Sequence, residues 1–202
     1  MPKKHWNQAL MYNLILASSS LYRQQLLAKL NIDFSHTSPE IDEIPRAHET
    51  AEQLASRLAI EKAKAVASQH PQSLIIGSDQ VASINNQLLF KPGNHEQAVK
   101  QLKLCSGKKV SFYTSVCLLN SHTGKQQVSV EVYTVCFREL TTAQIERYLQ
   151  ADQPYDCAGS FKMEGLGISL FTSIKGEDPN TLIGLPLIKL IEMLGNEGIC
   201  IP

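Results

Sequence analysis

The segment Leu14–Leu27, LILASSSLYRQQLL, sets three serines and Arg23 between an apolar run and a helical pattern. A helix start offers backbone N–H groups and a partial positive charge. With serine hydroxyls and a guanidinium beside it, such a place suits an anion, most naturally a phosphate. The plainer reading of the same residues is a serine-capped helix after a strand. Asp79 follows the apolar run LIIGS. A carboxylate at or within such a strand can bind a divalent metal or take a proton from water. The alternative is a surface or turn aspartate, although a buried strand seldom runs into an unpaired charge. Lys91 precedes Pro92-Gly93, where an ammonium suits a phosphate as a point charge. Glu164 stands in a polar and aromatic loop bracketed by Gly159 and Gly165, a setting for ligand contact or for a simple connection.

Other carboxylates lie on a long helical pattern and on the loop before it. Leu54, Leu58, Glu61 and Ala65 are spaced as one helical stripe, so Glu61 is expected to interrupt an apolar face. A charge there must be paired, bind metal or face a cleft. Pairing with Lys62 or Lys64 is the simple alternative. Glu40, Asp42 and Glu43 form an acidic loop that is either solvated or supplies one or two metal ligands.

These residues must be placed by a chain of 202 residues, 43% hydrophobic, which is enough for one domain with a sizeable core. Lys+Arg and Asp+Glu both number 19, so no basic field exists to hold a nucleic-acid backbone. Five scattered cysteines, none in CxxC spacing, argue against a disulfide framework and a zinc site, and for a reducing, cytoplasmic setting. No apolar run approaches a membrane span, and MPKKHWNQALMYN lacks the apolar segment of a signal peptide. Residues 1–12 read as an N-terminal extension and 13–202 as a single domain.

The pattern predicts a helix over about 21–30, a short strand over 34–38 and a helix from the Thr50/Gln53 capping box to about Gln69. A strand follows from Leu74 to Ile84, with a hairpin turn at Asn85-Asn86. Asn94 caps a helix ending near Gly107. Strands 110–119 and 127–137 are joined by a turn at Ser121–Gly124. Thr141 or Thr142 caps a helix to about Gln150. A long loop (151–165), a last strand (167–173) and a helix (186–194) complete the chain. The expected fold is α/β, a mixed twisted sheet flanked by helices.

Taken in order, LASSSLYR, PEIDE, EKAKA, IIGSDQV, KP, FYTSV, CAGSFKMEGLG and DPNTLIGLP resemble the motifs of the Maf family of nucleotide pyrophosphatases, from about Leu14 to Leu194. Within it the chain looks most like the branch acting on 7-methyl-GTP. The resemblance implies an elongated, two-lobed Maf/Ham1-like fold with a central cleft, and often a homodimer. It implies hydrolysis of a nucleoside triphosphate between the α and β phosphates, with a divalent cation, Mg or Mn. Asp79 matches the family's catalytic acidic residue. Ser18, Arg23, Lys62 and Lys91 match positions lining the triphosphate site. Tyr22, Gln80 and Glu164 match positions linked to substrate choice. Asp79 and Glu40 are the expected metal ligands.

A methylated guanine ring is cationic. Tyr22 would attract it through a cation–π contact, and Glu164 would accept its N1 and N2 hydrogens. The dTTP/UTP branch typically has Arg, Thr and Gln at the three positions, and an arginine would repel the methylated purine. The chain departs from the family in Leu21 (usually Pro), Gln24 (usually Arg) and Tyr22 (Trp in the 7-methyl-GTP branch). A pyrimidine-triphosphate pyrophosphatase and a nucleotide-binding regulator without turnover are the alternatives.

Overall fold

The first apolar run becomes the parallel centre of a mixed sheet. In the computed structural model, which describes residues 12–202, β1 (Asn13–Ala17) lies between β2 (Ser35–Thr37) and β3 (Ser73–Ile84), parallel to both. β4 (Gln87–Leu89) turns back on the end of β3. The remaining pairs are antiparallel: β3 with β5 (Lys109–Asn120), β5 with β6 (Gln126–Phe137), and β6 with β7 (Phe171–Lys175). The resulting order is β2-β1-β3-β5-β6-β7, with β4 off that path. Asn85 and Asn86 both adopt left-handed backbone (φ 48° and 65°), which makes the tight β3–β4 hairpin that this residue pair favours.

Among the described residues six helices flank the sheet: α1 (Leu21–Ala28), α2 (Ala51–Ala67), α3 (His95–Cys105), α4 (Thr142–Asp152), α5 (Pro179–Ile183) and α6 (Leu187–Gly195). Ser20, Thr50, Asn94, Thr141 and Asp178 cap the first five through side-chain oxygens, and Thr50 and Thr141 form full capping boxes.

Both faces of the β1/β3 region are covered, which is why those strands read as continuous apolar runs. Ala59, Ala63 and Val66 of α2 pack on Ile15 and Ile75. On the opposite face Leu26 and Leu27 of α1 and Leu190 and Leu194 of α6 pack on Leu14, Leu16, Leu74 and Ile76. Farther along the sheet a second core joins α3 and α4 to β5 and β6 around Phe112, Val135 and Phe137. The two cores form the two lobes.

Gly77 sets the closest approach between α2 and β3. A Cβ there would lie 2.0 Å from the carbonyl oxygen of Ala59, so only glycine lets the helix backbone come so near.

The last strand differs from expectation. Residues 166–170 form a 3₁₀ turn and β7 begins at Phe171, because the Gly167 N–H bonds the Lys162 carbonyl and a Cβ at Gly167 would lie 2.2 Å from that oxygen. α1 stops at Ala28 because Lys29 and Leu30 bond three residues back and tighten the end. α5 was not expected from the pattern. The expected extension lies outside the described residues except for Tyr12, whose ring packs against the α1/α6 core. No helix among the described residues is long and apolar enough to cross a membrane.

Candidate active site

A cleft of about 790 Å³ opens between the lobes, floored by β3 and walled by the loops after β1, β4 and α4. At its floor Lys62 of α2 reaches Asp79 of β3. The ammonium Nζ donates to Asp79 Oδ1 at 2.6 Å and to Glu43 Oε1 at 2.7 Å. Lys62 and Asp79 are each only 7% exposed. A buried ammonium between two carboxylates is a fully compensated charge, and this arrangement depends on the α2–β3 approach at Gly77.

The buried stripe of α2 runs through Leu54, Leu58, Lys62 and Val66, so it is Lys62 rather than Glu61 that interrupts the apolar face. Glu61 sits at its edge, bonded to Arg57 at 2.9 Å and Arg46 at 3.0 Å and not lining the cleft. The pairing alternative for Glu61 therefore describes the structure, with arginines in place of the expected lysines.

The acidic loop before α2 divides its labour. Asp42 Oδ1 accepts from the Ile44 N–H at 2.9 Å and makes a local turn. Glu40 is exposed and does not line the cleft, while Glu43 does. Arg57 holds the loop in place: it donates to the Ile44 carbonyl at 3.1 Å and to Glu49 at 2.6 Å. Burial pushes the Glu43 carboxyl up, but the Lys62 hydrogen bond, with the charges of Lys62, Lys91 and Arg23, prevails and holds it below its ordinary value. One carboxylate is thus answered by three cations of the cleft.

Arg23 is fixed from behind. Its Nε donates to the Gly184 carbonyl at 2.8 Å, and the Ser78 hydroxyl donates to the same oxygen at 2.9 Å. Gly184 ends α5 with φ +127°, a conformation that favours glycine and turns its carbonyl toward the cleft floor. Burial lowers the Arg23 pKa, opposed by the charges of Asp79 and Glu43. Ser18 is buried and lines the cleft, its hydroxyl accepting from the Ser20 N–H at 3.1 Å, while Ser20 caps α1. Ser20 thus caps the helix start as the plainer reading of this segment has it, and the cap stands on the wall of a cleft. Lys91 is exposed on the cleft wall beside Phe90.

Tyr22, Gln80 and Glu164 all line the same cleft. Burial raises the Tyr22 phenol, and Cys157, Asp156 and Glu164 raise it further against the opposing charge of Lys162. Gln80 is locked: its Nε2 donates to the carbonyls of Thr181 and Leu182 at 2.9 and 3.1 Å and lies 3.0 Å from the Thr114 hydroxyl. Two carbonyls can only accept, so the amide orientation is forced, and Oε1 is the atom left to meet a ligand.

Sequence reasoning placed Glu43 in the acidic loop but chose Glu40 over it, and it missed the roles of the Gly184 carbonyl, Ser78 and Asp178. Asp178 is buried, and its carboxylate takes the N–H groups of Asn180 and Ile188 at 2.8 and 2.9 Å, joining α5 to α6. The run Asp178-Pro179 and Gly184-Leu185-Pro186 carried the signals of a short capped helix. Glu43 had no signal to separate it from Glu40.

Among the described residues no group of three or more His, Cys, Asp or Glu is gathered to hold a metal. Two carboxylates, Asp79 and Glu43, nevertheless converge on one cation, the Lys62 ammonium. A hard cation that keeps waters and phosphate oxygens needs few protein carboxylates, so the donor set fits such an ion.

The solved Ham1 protein of Staphylococcus aureus shares the fold, with a TM-score of 0.54 at 12% identity over 92% of this chain and 99% of that one. The chain is 58% identical to the 7-methyl-GTP pyrophosphatase of Alcanivorax borkumensis over 94% of its length and 96% of that protein. It is 53% identical to the protein of the same name from Pseudomonas aeruginosa, over 95% of its length and 100% of that protein. Residues 13–197, from β1 to just past α6, match the Maf-like protein family, and with the cleft built from that family's motifs this chain belongs to it.

Proposed function

We propose that the protein hydrolyses 7-methyl-GTP to 7-methyl-GMP and pyrophosphate. The observation that carries this reading is the Lys62–Asp79 pair, buried at the floor of a cleft whose walls also present Arg23, Lys91, Tyr22 and Glu164.

Asp79 acts as the base. Its Oδ1 is engaged by Lys62, so Oδ2 orients a water and takes its proton. The water oxygen bonds to the α-phosphorus, the bond from that phosphorus to the α–β bridging oxygen breaks, and pyrophosphate leaves with the electron pair. Lys62, Lys91 and Arg23 meet the charge that builds on the leaving group. Arg23 is already oriented by Gly184, so little reorganisation is needed when that charge develops. Asp79 and Glu43 would hold a divalent cation, Mg or Mn, with Glu43 in the place expected of Glu40; when bound, the cation neutralises phosphate oxygens. Ser18 supplies a hydroxyl to the triphosphate.

The base lies toward Tyr22 and Glu164. The tyrosine ring stacks on the cationic 7-methylguanine, and the carboxylate accepts its N–H donors. Gln80 offers the cleft an acceptor only, which suits a base edge carrying donors.

The experiment is a substrate panel: pyrophosphate release from 7-methyl-GTP, GTP, dTTP and UTP with Mg or Mn. The expected result is pyrophosphate, not orthophosphate, with the highest kcat/KM on 7-methyl-GTP. Preference for dTTP and UTP, or tight binding without turnover, would overturn the reading.

A further inference from the structure

Gln101 lies on α3, behind the cleft and outside its lining. Its side chain nonetheless touches both loops that form one wall. Nε2 donates to the Phe90 carbonyl at 3.0 Å, and Oε1 accepts from the Ser160 hydroxyl at 2.5 Å. Chemistry forces this orientation: a backbone carbonyl can only accept, so the NH2 faces Phe90 and the oxygen is left for the hydroxyl.

The two tethered loops carry different parts of the site. Phe90 precedes Lys91, and both line the cleft. Ser160 precedes Phe161, and the same loop continues to Met163 and Glu164, all of which line the cleft. Ser160 is fully buried with φ +59°, a left-handed backbone that a serine adopts at a cost. Its neighbour Gly159 is also left-handed (φ +77°) and is pressed against Phe112. A strained, buried residue whose hydroxyl reaches one partner marks a built connection. The same two segments are joined again nearby. The Gly93 N–H donates to the Tyr155 carbonyl at 2.9 Å, and the His95 ring lies 3.0 Å from the Tyr155 hydroxyl.

We infer that Gln101 is a positioning residue that couples the base-reading loop to the phosphate-binding lysine, so that base identity is felt at the reacting end. The inference rests on the reading of the cleft proposed above. A base that seats Glu164 fixes the Ser160 turn, and through Gln101 it fixes the Phe90–Lys91 backbone. A base that fails to engage Glu164 leaves Lys91 less well placed. The coupling therefore acts on kcat as well as on KM, and acts more for a matched base than for a mismatched one.

The test uses the full chain and two variants. Gln101→Met keeps the length of the side chain and removes the amide. Ser160→Gly removes the hydroxyl and relaxes the left-handed backbone, so it reports even where the first variant folds poorly. kcat and KM are measured for 7-methyl-GTP and GTP, alone and in a Glu164→Gln background. In each single variant the kcat/KM ratio of the two substrates is expected to fall about five- to tenfold, the scale of one or two lost hydrogen bonds, mainly through kcat on 7-methyl-GTP. In the Glu164→Gln background neither change is expected to alter the ratio further. An unchanged ratio in both single variants, or losses fully additive with Glu164→Gln, would overturn the inference. A wild type that prefers another base would overturn the substrate reading instead, and the same ratio taken over its best and second-best bases would still decide the role of Gln101.

Discussion

Lys62 and Asp79 meet at 2.6 Å across the α2–β3 contact, each almost closed off from solvent, with Glu43 on the far side of the ammonium. Asp79 thus has a fixed orientation, and Lys62 has a second partner. Asp79→Asn is expected to lower turnover of 7-methyl-GTP by about 10²–10⁴-fold, the usual contribution of a general base. The variant stays folded, because Glu43 still compensates the lysine. Pyrophosphate release and thermal unfolding, measured side by side, check both halves; full activity in the variant removes Asp79 as the base.

Gly77→Ala drives a methyl group into the Ala59 carbonyl of α2. The expected loss is about 1–3 kcal/mol or more, a fall in Tm of several degrees. Activity falls along with stability, since the helix that is pushed away carries Lys62. A variant as stable and active as the wild type would show that the α2–β3 distance is not critical.

Glu49 gives a stability contribution with a defined pH window. Its hydrogen bond with Arg57 is the largest influence on its carboxyl, which is held down at about 2 against an ordinary 4.5. A carboxyl depressed in the folded state stabilises the protein fully above its unfolded pKa, and that contribution is lost as pH falls toward the folded value. The Tm difference between wild type and Glu49→Gln is therefore expected to stay level down to about pH 5 and to shrink toward about pH 2. A difference that is flat across the whole range would remove the Arg57 clamp as its origin.

Gln80→Glu replaces the forced amide nitrogen by a carboxylate oxygen facing the carbonyls of Thr181 and Leu182. Loss of the donor costs about 1–3 kcal/mol and loosens α5. Because α5 ends at Gly184, which orients Arg23, KM for the triphosphate rises as well. Calorimetry with steady-state kinetics tests this; unchanged Tm and KM would mean that the amide is not a structural tie.

Tyr22→Leu removes the aromatic face of the cleft that is proposed to meet the base. The kcat/KM preference for 7-methyl-GTP over GTP is expected to drop about two- to tenfold, and Tyr22→Trp to raise it. An unchanged ratio in both variants would take Tyr22 out of base selection.

Much of this molecule was legible as a sequence, for identifiable reasons. Thr50 and Gln53 announced α2, Asn85-Asn86 the β3–β4 hairpin, and Asn94 and Thr141 their helices, because caps and tight turns are local devices. The motifs around Ser18, Arg23, Asp79 and Lys91 identified residues that the fold does bring to one cleft. What escaped was set by distant parts of the chain. Choosing Lys62 over Glu61 as the buried charge needed the rotation of α2 about its axis, which Gly77 and the sheet decide. Choosing Glu43 over Glu40 needed the path of a loop pinned by Arg57. β7 slipped to Phe171 because Gly167 was claimed by a tight turn. Gln101 and Gly184 carry no chemistry that announces itself; one works through its two hydrogen bonds and the other through a backbone carbonyl.

Flanked by Glu43 and Asp79, the Lys62 ammonium never waits alone in a dry crevice. Its counter-charge is built into the fold twice over, so the loss of either contact still leaves the ammonium with a partner.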